Sequence, residues 1–170
     1  STSVKKVPNP YFRNMAYPDM KWLADTTTTM WMRSRQLSIG FQGNGDDYEW
    51  YNFDRLNKLK ELLSEKPDNY IIFVNYLPEI FNIYDICNEL KYNVDVYCGD
   101  IKDTTFYEKY QSMSEADRLS NKKNIILANF KSGGTGMNWQ LYNKCIMFSL
   151  PQYSDFVQAK ARVHRIGQKE

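Results

Sequence analysis

From Asn52 onward, short apolar runs alternate with segments whose apolar residues recur every three or four positions. Phe53, Leu56, Leu59 and Leu63 stand at helical spacing and predict a helix. YIIFVN, Tyr70 to Asn75, is a continuous apolar run of strand length, the pattern of a strand covered on both faces. Ile80, Ile83, Tyr84, Cys87 and Leu90 mark a second helix, with Pro78 suited to its first turn. VDVYCG predicts another strand, Phe106, Tyr110 and Met113 a third helix, and NIILAN (Asn124 to Asn129) and KCIMFSL (Lys144 to Leu150) two further strands. A final helix is expected from about Ser154, a suitable N-cap, to about Ile166, where Gly167 can stop it. Strands alternating with helices predict an α/β fold, a parallel sheet flanked by helices and joined by right-handed crossovers. Ligands of such sheets meet the loops at the carboxyl ends of the strands.

The front of the chain lacks this regularity. Ser1 to about Ser34 carries Pro8, Pro10 and Pro18, a threonine run from Thr26 to Thr29, and the aromatics Tyr11, Phe12, Tyr17 and Trp22. Proline interrupts helices, so this stretch reads as a wrapping or linking segment. LSIGFQ and DYEWYN then flank the turn-forming GNGD, a hairpin signal over about 37–51. The expected organisation is therefore an extension with a short β-hairpin over 1–51 and an α/β lobe over 52–170.

Composition narrows the class. A chain of 170 residues with 42% hydrophobic and 15% aromatic content is long and apolar enough for a packed core, which excludes a disordered tail or a coiled coil. The net charge is only +2 and the basic residues are scattered, so any nucleic-acid contact must be local. Cys87, Cys98 and Cys145, with the single histidine His164, lack the close pairing of a zinc site and are odd in number for a disulfide framework. They read as small core hydrophobes of a reduced, intracellular chain, with no metal site. No apolar run approaches the roughly 18 residues of a membrane helix, so no membrane partner is expected.

Two segments carry chemistry. In QAKARVHRIGQ, residues 158–168, a helix would place Gln158, Arg162 and Arg165 at i, i+4 and i+7 on one stripe. Two aligned guanidiniums repel each other unless an anion lies between them, and their planar forks suit phosphate oxygens. A solvated helix face is the plainer reading. The loop KSGGTGMNW, Lys131 to Trp139, contains three glycines, which let the backbone approach a ligand and turn N–H groups toward a phosphate. Alone it is equally well a turn. His164, between the arginines, reads as a packed or hydrogen-bonded side chain. Trp31, Trp50 and Trp139 offer stacking surfaces for bases, although core or packing roles suit them better.

SGGTGMNW and QAKARVHRIGQ, separated by one strand, resemble motifs V and VI of the Swi/Snf family within helicase superfamily two. YIIFVNYLPEIFNIYDICNEL is similar to the first strand and helix of that family's second RecA-like lobe, and VYCGD to its strand ending in Gly–Asp. The likeness runs from about Asn52 to Gln168. The preceding MRSRQLSIGFQGNGDDYEWYNFDRLNKLKELL resembles compact helicases of phages and prophages, implying a cytoplasmic protein of a bacterial or phage-infected cell. The resemblance implies a RecA-like C-terminal lobe in which Arg165 is an arginine finger and Arg162 its partner on the γ-phosphate of ATP. Gln158 would hold the interlobe contact, and Asn138 would reach the nucleotide or that same contact. Lys131, Ser132, Gly133, Gly134, Thr135 and Gly136 would lie against the DNA backbone, duplex rather than single-stranded.

No GxxxxGK[ST] phosphate loop occurs, and no acidic pair follows a strand as a Mg²⁺ site requires; Asp46, Asp47 and Glu49 read as turn chemistry. ATP and Mg²⁺ are therefore expected on an N-terminal RecA-like lobe of the same protein, and this chain alone is expected to be inactive. The resemblance implies a further strand and helix past HRIGQ, so either the chain is cut near Glu170, which leaves one sheet position open, or the protein is unusually short. The alternatives are a non-catalytic nucleic-acid- or protein-binding module that kept the lobe fold, which the arginine stripe argues against, and a small kinase, which the missing phosphate loop argues against.

Overall fold

The computed structural model describes residues 26–44, 47–133 and 138–149. The chain divides into two compact units, Ser1–Asn57 and Lys58–Glu170.

In the first unit, helix α1 (Thr27–Ile39) takes up the end of the stretch expected to be irregular, from Thr27 to Ser34. Its start is set by the threonine run itself, since the Thr26 side chain accepts from the Thr29 N–H. Gly40 ends it at φ 126°, a conformation that suits glycine, and donates its N–H to Gln36. The expected hairpin follows in shortened form, β1 (Phe41–Asn44) pairing antiparallel with β2 (Asp47–Trp50), while Leu37 to Ile39 belong to the helix. Polar side chains join helix to hairpin. The buried Gln36 amide donates to the Gly43 carbonyl and accepts from its N–H, at 3.0 and 3.1 Å, and Arg33 donates to the same carbonyl at 2.9 Å.

Helix α2 (Asp54–Glu65) connects to the second unit. Leu56, Leu59 and Leu63 are buried as expected, but Phe53 precedes the helix, is exposed, and stacks on Trp50. In the second unit come β3 (Asn69–Val74), α3 (Leu77–Glu89), β4 (Asn93–Cys98), β5 (Ile101–Lys102), α4 (Thr105–Ser112), α5 (Glu115–Leu119), β6 (Asn124–Asn129), the single turn α6 (Phe130–Gly133) and β7 (Lys144–Met147). The sheet order is β5-β4-β6-β3-β7, with all neighbours parallel except the β4–β5 pair. The strands named from sequence are thus present, and the sheet is mostly parallel with one antiparallel edge.

Every residue of β3 is buried, as its unbroken apolar run demands. On one face Ile71, Phe73, Ile126, Ala128 and Tyr97 form a core with Tyr107 and Tyr110 of α4 and with Phe130, Trp139 and Tyr142. The alternate residues Ile72, Val74, Ile125 and Leu127 are buried on the other face. Helix α3 packs on β4 and β6 through its buried side, Ile80, Ile83 and Cys87, whereas Tyr84, expected on that side, is exposed. Likewise the buried stripe of α4 is Tyr107 and Tyr110 rather than Phe106. The expected final helix lies outside the described residues.

Candidate nucleotide and nucleic-acid site

Of the chain positions that the sequence offered for ligand contact, the described ones are Lys131, Ser132 and Gly133, at the carboxyl end of β6, and Asn138. After β3, the Asn75 amide donates to the Ser149 hydroxyl beyond β7 at 2.9 Å, and the Phe148 N–H donates to the Phe73 carbonyl at 3.0 Å. These bonds extend the β3–β7 pairing past the end of the ladder. Glu79, buried in the first turn of α3, accepts from the N–H groups of Asn75 and Tyr76 at 3.2 and 3.0 Å. A carboxylate at a helix N-terminus satisfies amides that the helix itself cannot and complements its dipole. The strand-to-helix turn is thereby fixed.

Lys131, Ser132 and Gly133 lie in the helical turn α6 directly after β6, and not in an extended loop. Asn129, the last residue of β6, accepts the Ser132 N–H at 2.8 Å, which caps this turn. The Ser132 hydroxyl in turn accepts the Gly99 N–H at 3.1 Å. Gly99, at φ +52°, opens the turn between β4 and β5, and nothing lies within 4 Å of where its Cβ would be. Two strand ends are thus joined through one hydroxyl. Lys131 is exposed, and so is Asn138 at the far side of the Gly-rich segment. Gly134, Thr135 and Gly136 lie outside the described residues, as do Gln158, Arg162, His164 and Arg165.

The chain returning from the Gly-rich segment is tied to α4. The Tyr107 hydroxyl donates to the Asn138 carbonyl at 3.2 Å and accepts the Leu141 N–H at 3.3 Å. Between those residues Trp139 is wholly buried, edge-on to Tyr97 with ring centroids 5.1 Å apart. Trp139 is therefore a core residue and offers no face to a base. Trp31, by contrast, is 69% exposed on α1. Helix α4 itself is held by Asp95 of β4, whose two carboxylate oxygens accept the N–H groups of Phe106 and Tyr107 at 3.1 and 2.8 Å. Burial raises the Asp95 carboxyl above its ordinary range, and the two backbone amides work against that rise. Burial alone pushes the Cys87 and Cys145 thiols up to about 12, and it also raises Cys98, beside which Lys102 exerts a smaller opposing pull.

Asp95, Asn129 and Tyr107 escaped the sequence reading. Asp95 sits inside an apolar strand, a position where a carboxylate must find partners, and that was the available signal. Nothing local marks Tyr107 as reaching residues more than thirty positions away. Among the described residues no three His, Cys, Asp or Glu side chains are grouped to hold a metal ion, and no helix is long and apolar enough to cross a membrane.

Residues 54–167 match the family described as the helicase conserved C-terminal domain. The chain belongs to that family. Its lobe is 30% identical over 119 residues to the ISWI chromatin-remodeling complex ATPase ISW2 of Saccharomyces cerevisiae, covering 68% of this chain and 10% of that protein. It is 25% identical over 128 residues to the ATP-dependent helicase fft3 of Schizosaccharomyces pombe, covering 73% of the chain and 13% of the relative. The chain therefore spans about a tenth of the curated relatives it matches. The crystal structure of the C-terminal part of the Fun30 ATPase domain superposes with a TM-score of 0.55 at 19% identity, over 99% of this chain and 56% of that one. The fold of this helicase lobe is accordingly the RecA-like one, within the Swi/Snf group of superfamily two.

Proposed function

We propose that this helicase lobe is the second motor lobe of an ATP-dependent DNA translocase, and that it supplies arginines to ATP held on an N-terminal lobe of the same protein. The observation that carries the reading is the span of the family match, 54–167, which includes both the Gly-rich segment and the Gln158, Arg162, Arg165 stripe. Relatives named as a chromatin-remodeling complex ATPase and an ATP-dependent helicase support it. Arg165 acts as the arginine finger and Arg162 as its partner. Both would neutralise the charge that develops on the γ-phosphate, an effect worth about 10³ to 10⁵ in rate for such fingers. Gln158 and Asn138 serve the nucleotide and interlobe contact. Lys131, Ser132, Gly133, Gly134, Thr135 and Gly136 meet the backbone of duplex DNA. Backbone amides and a short hydroxyl suit phosphate oxygens without reading sequence. Mg²⁺ belongs with the triphosphate on the N-terminal lobe, which makes the 170-residue chain inactive alone.

The test is ATP hydrolysis by the full-length protein and by this chain, with and without duplex DNA. Turnover by the full-length protein that rises with DNA, beside an inert isolated chain, is the expected result. Hydrolysis by the isolated chain would refute the division of labour. DNA binding without any hydrolysis by the full-length protein would favour a non-catalytic binding module instead.

A further inference from the structure

We infer that Tyr107 is a positioning residue whose hydroxyl latches the returning arm of the Gly-rich segment, Asn138 to Leu141, and so couples DNA contact to ATP hydrolysis. The inference rests on the motor-lobe reading. Its geometry is specific: one phenol donates to the Asn138 carbonyl at 3.2 Å and accepts the Leu141 N–H at 3.3 Å, which brackets the arm at both ends. The arm has no strand pairing of its own before β7 begins at Lys144. Apolar contacts also hold it, Trp139 against Tyr97 and Tyr142 against Tyr107 at 4.9 Å. Apolar contacts fix depth but not direction along the surface, whereas two hydrogen bonds to backbone atoms three residues apart fix both.

The latch is itself held. Asp95 accepts the Tyr107 N–H at 2.8 Å, so the first turn of α4 cannot shift along β4 without breaking that bond. The near arm of the same segment is anchored separately, by Asn129 and Gly99 on Ser132. Each side of the segment thus has a polar fastening to the rigid sheet, and Tyr107 is the fastening nearer the exposed Asn138 side chain.

Tyr110 provides an internal control. It lies one turn along α4, is buried alike, and packs edge-on to the same Tyr142 ring at 5.4 Å, but its hydroxyl reaches only the Arg118 carbonyl at 3.5 Å. Tyr107→Phe and Tyr110→Phe therefore remove the same group from the same cluster, and only the first touches the arm. In the full-length protein, Tyr107→Phe should raise the duplex concentration for half-maximal ATPase stimulation about five- to thirtyfold, the value of one to two lost hydrogen bonds of ordinary strength. Tyr110→Phe should stay within about twofold of wild type by the same reckoning. Hydrogen exchange of the Leu141 amide should quicken in Tyr107→Phe alone. If Leu141 exchange is unchanged, the latch does not exist. If exchange quickens but both variants share one DNA dependence, the latch holds the arm without coupling it, and the inference fails. A wild type with no DNA-stimulated hydrolysis defeats the motor-lobe reading itself.

Discussion

Replacing Asp95 with alanine removes the acceptor for two amides at the start of α4, those of Phe106 and Tyr107. The side chain is wholly buried, so water cannot take its place. Loss of a helix cap costs about 0.5–2 kcal/mol, and each buried amide left without a partner about 1–3 kcal/mol. Against this, alanine relieves the cost of burying a carboxylate, the cause that raises the Asp95 pKa. The net loss should be roughly 2–3 kcal/mol, or about 5–10 °C in Tm for a domain of this size. Asparagine keeps one oxygen acceptor and should lose about half as much. The pH dependence has a definite sign. A carboxyl whose folded pKa is raised contributes stability that is fully present below the unfolded value and is lost as pH rises through the folded one. The asparagine variant does not titrate here, so its Tm deficit should shrink as pH rises from about 4 to about 7. Thermal unfolding followed by circular dichroism at several pH values measures both effects. An alanine variant within about 1 °C of wild type, well under the loss worked out above, would refute the capping role. A deficit that grows with pH would refute the burial argument.

Two further outcomes follow from packing and chemistry. Cys87 is buried with its thiol pushed up to about 12, so at pH 8 only about one part in ten thousand is thiolate. Alkylation should be negligible in the folded protein and rapid once it is unfolded in denaturant, and equal rates would contradict the burial. Gly40→Ala should destabilise the first unit by about 1–3 kcal/mol, because φ is +126° and the new Cβ would collide with the Asn52 carbonyl oxygen. Gly99→Ala meets open space at φ +52° and should cost only about 1–2 kcal/mol, for the left-handed backbone alone. Urea unfolding of the two variants compares them directly.

The sheet could be read from sequence because its strands are apolar on both faces, and YIIFVN and NIILAN can satisfy that demand only in a covered parallel sheet. Helix α1 could not, because two of the three residues it buries are polar. Arg33 and Gln36 are buried against the Gly43 backbone, a contact that apolar periodicity does not record. Phe53 and Tyr84 fit a helical repeat yet are exposed, since the period fixes a stripe and not its edges. In the candidate site, Ser132 and Asn138 are proposed because of the glycines around them. The bonds that hold them, from Gly99, Asn129 and Tyr107, arise from tertiary approach, with Gly99 and Ser132 thirty-three residues apart.

Whether Arg165 completes an ATP site on another lobe is read by single-turnover ATP hydrolysis of the full-length protein carrying Arg165→Ala. The variant should still bind ATP and duplex DNA while its hydrolysis falls at least about a hundredfold. Hydrolysis at the wild-type rate would contradict the finger assignment and return the stripe of Gln158, Arg162 and Arg165 to a solvated helix face.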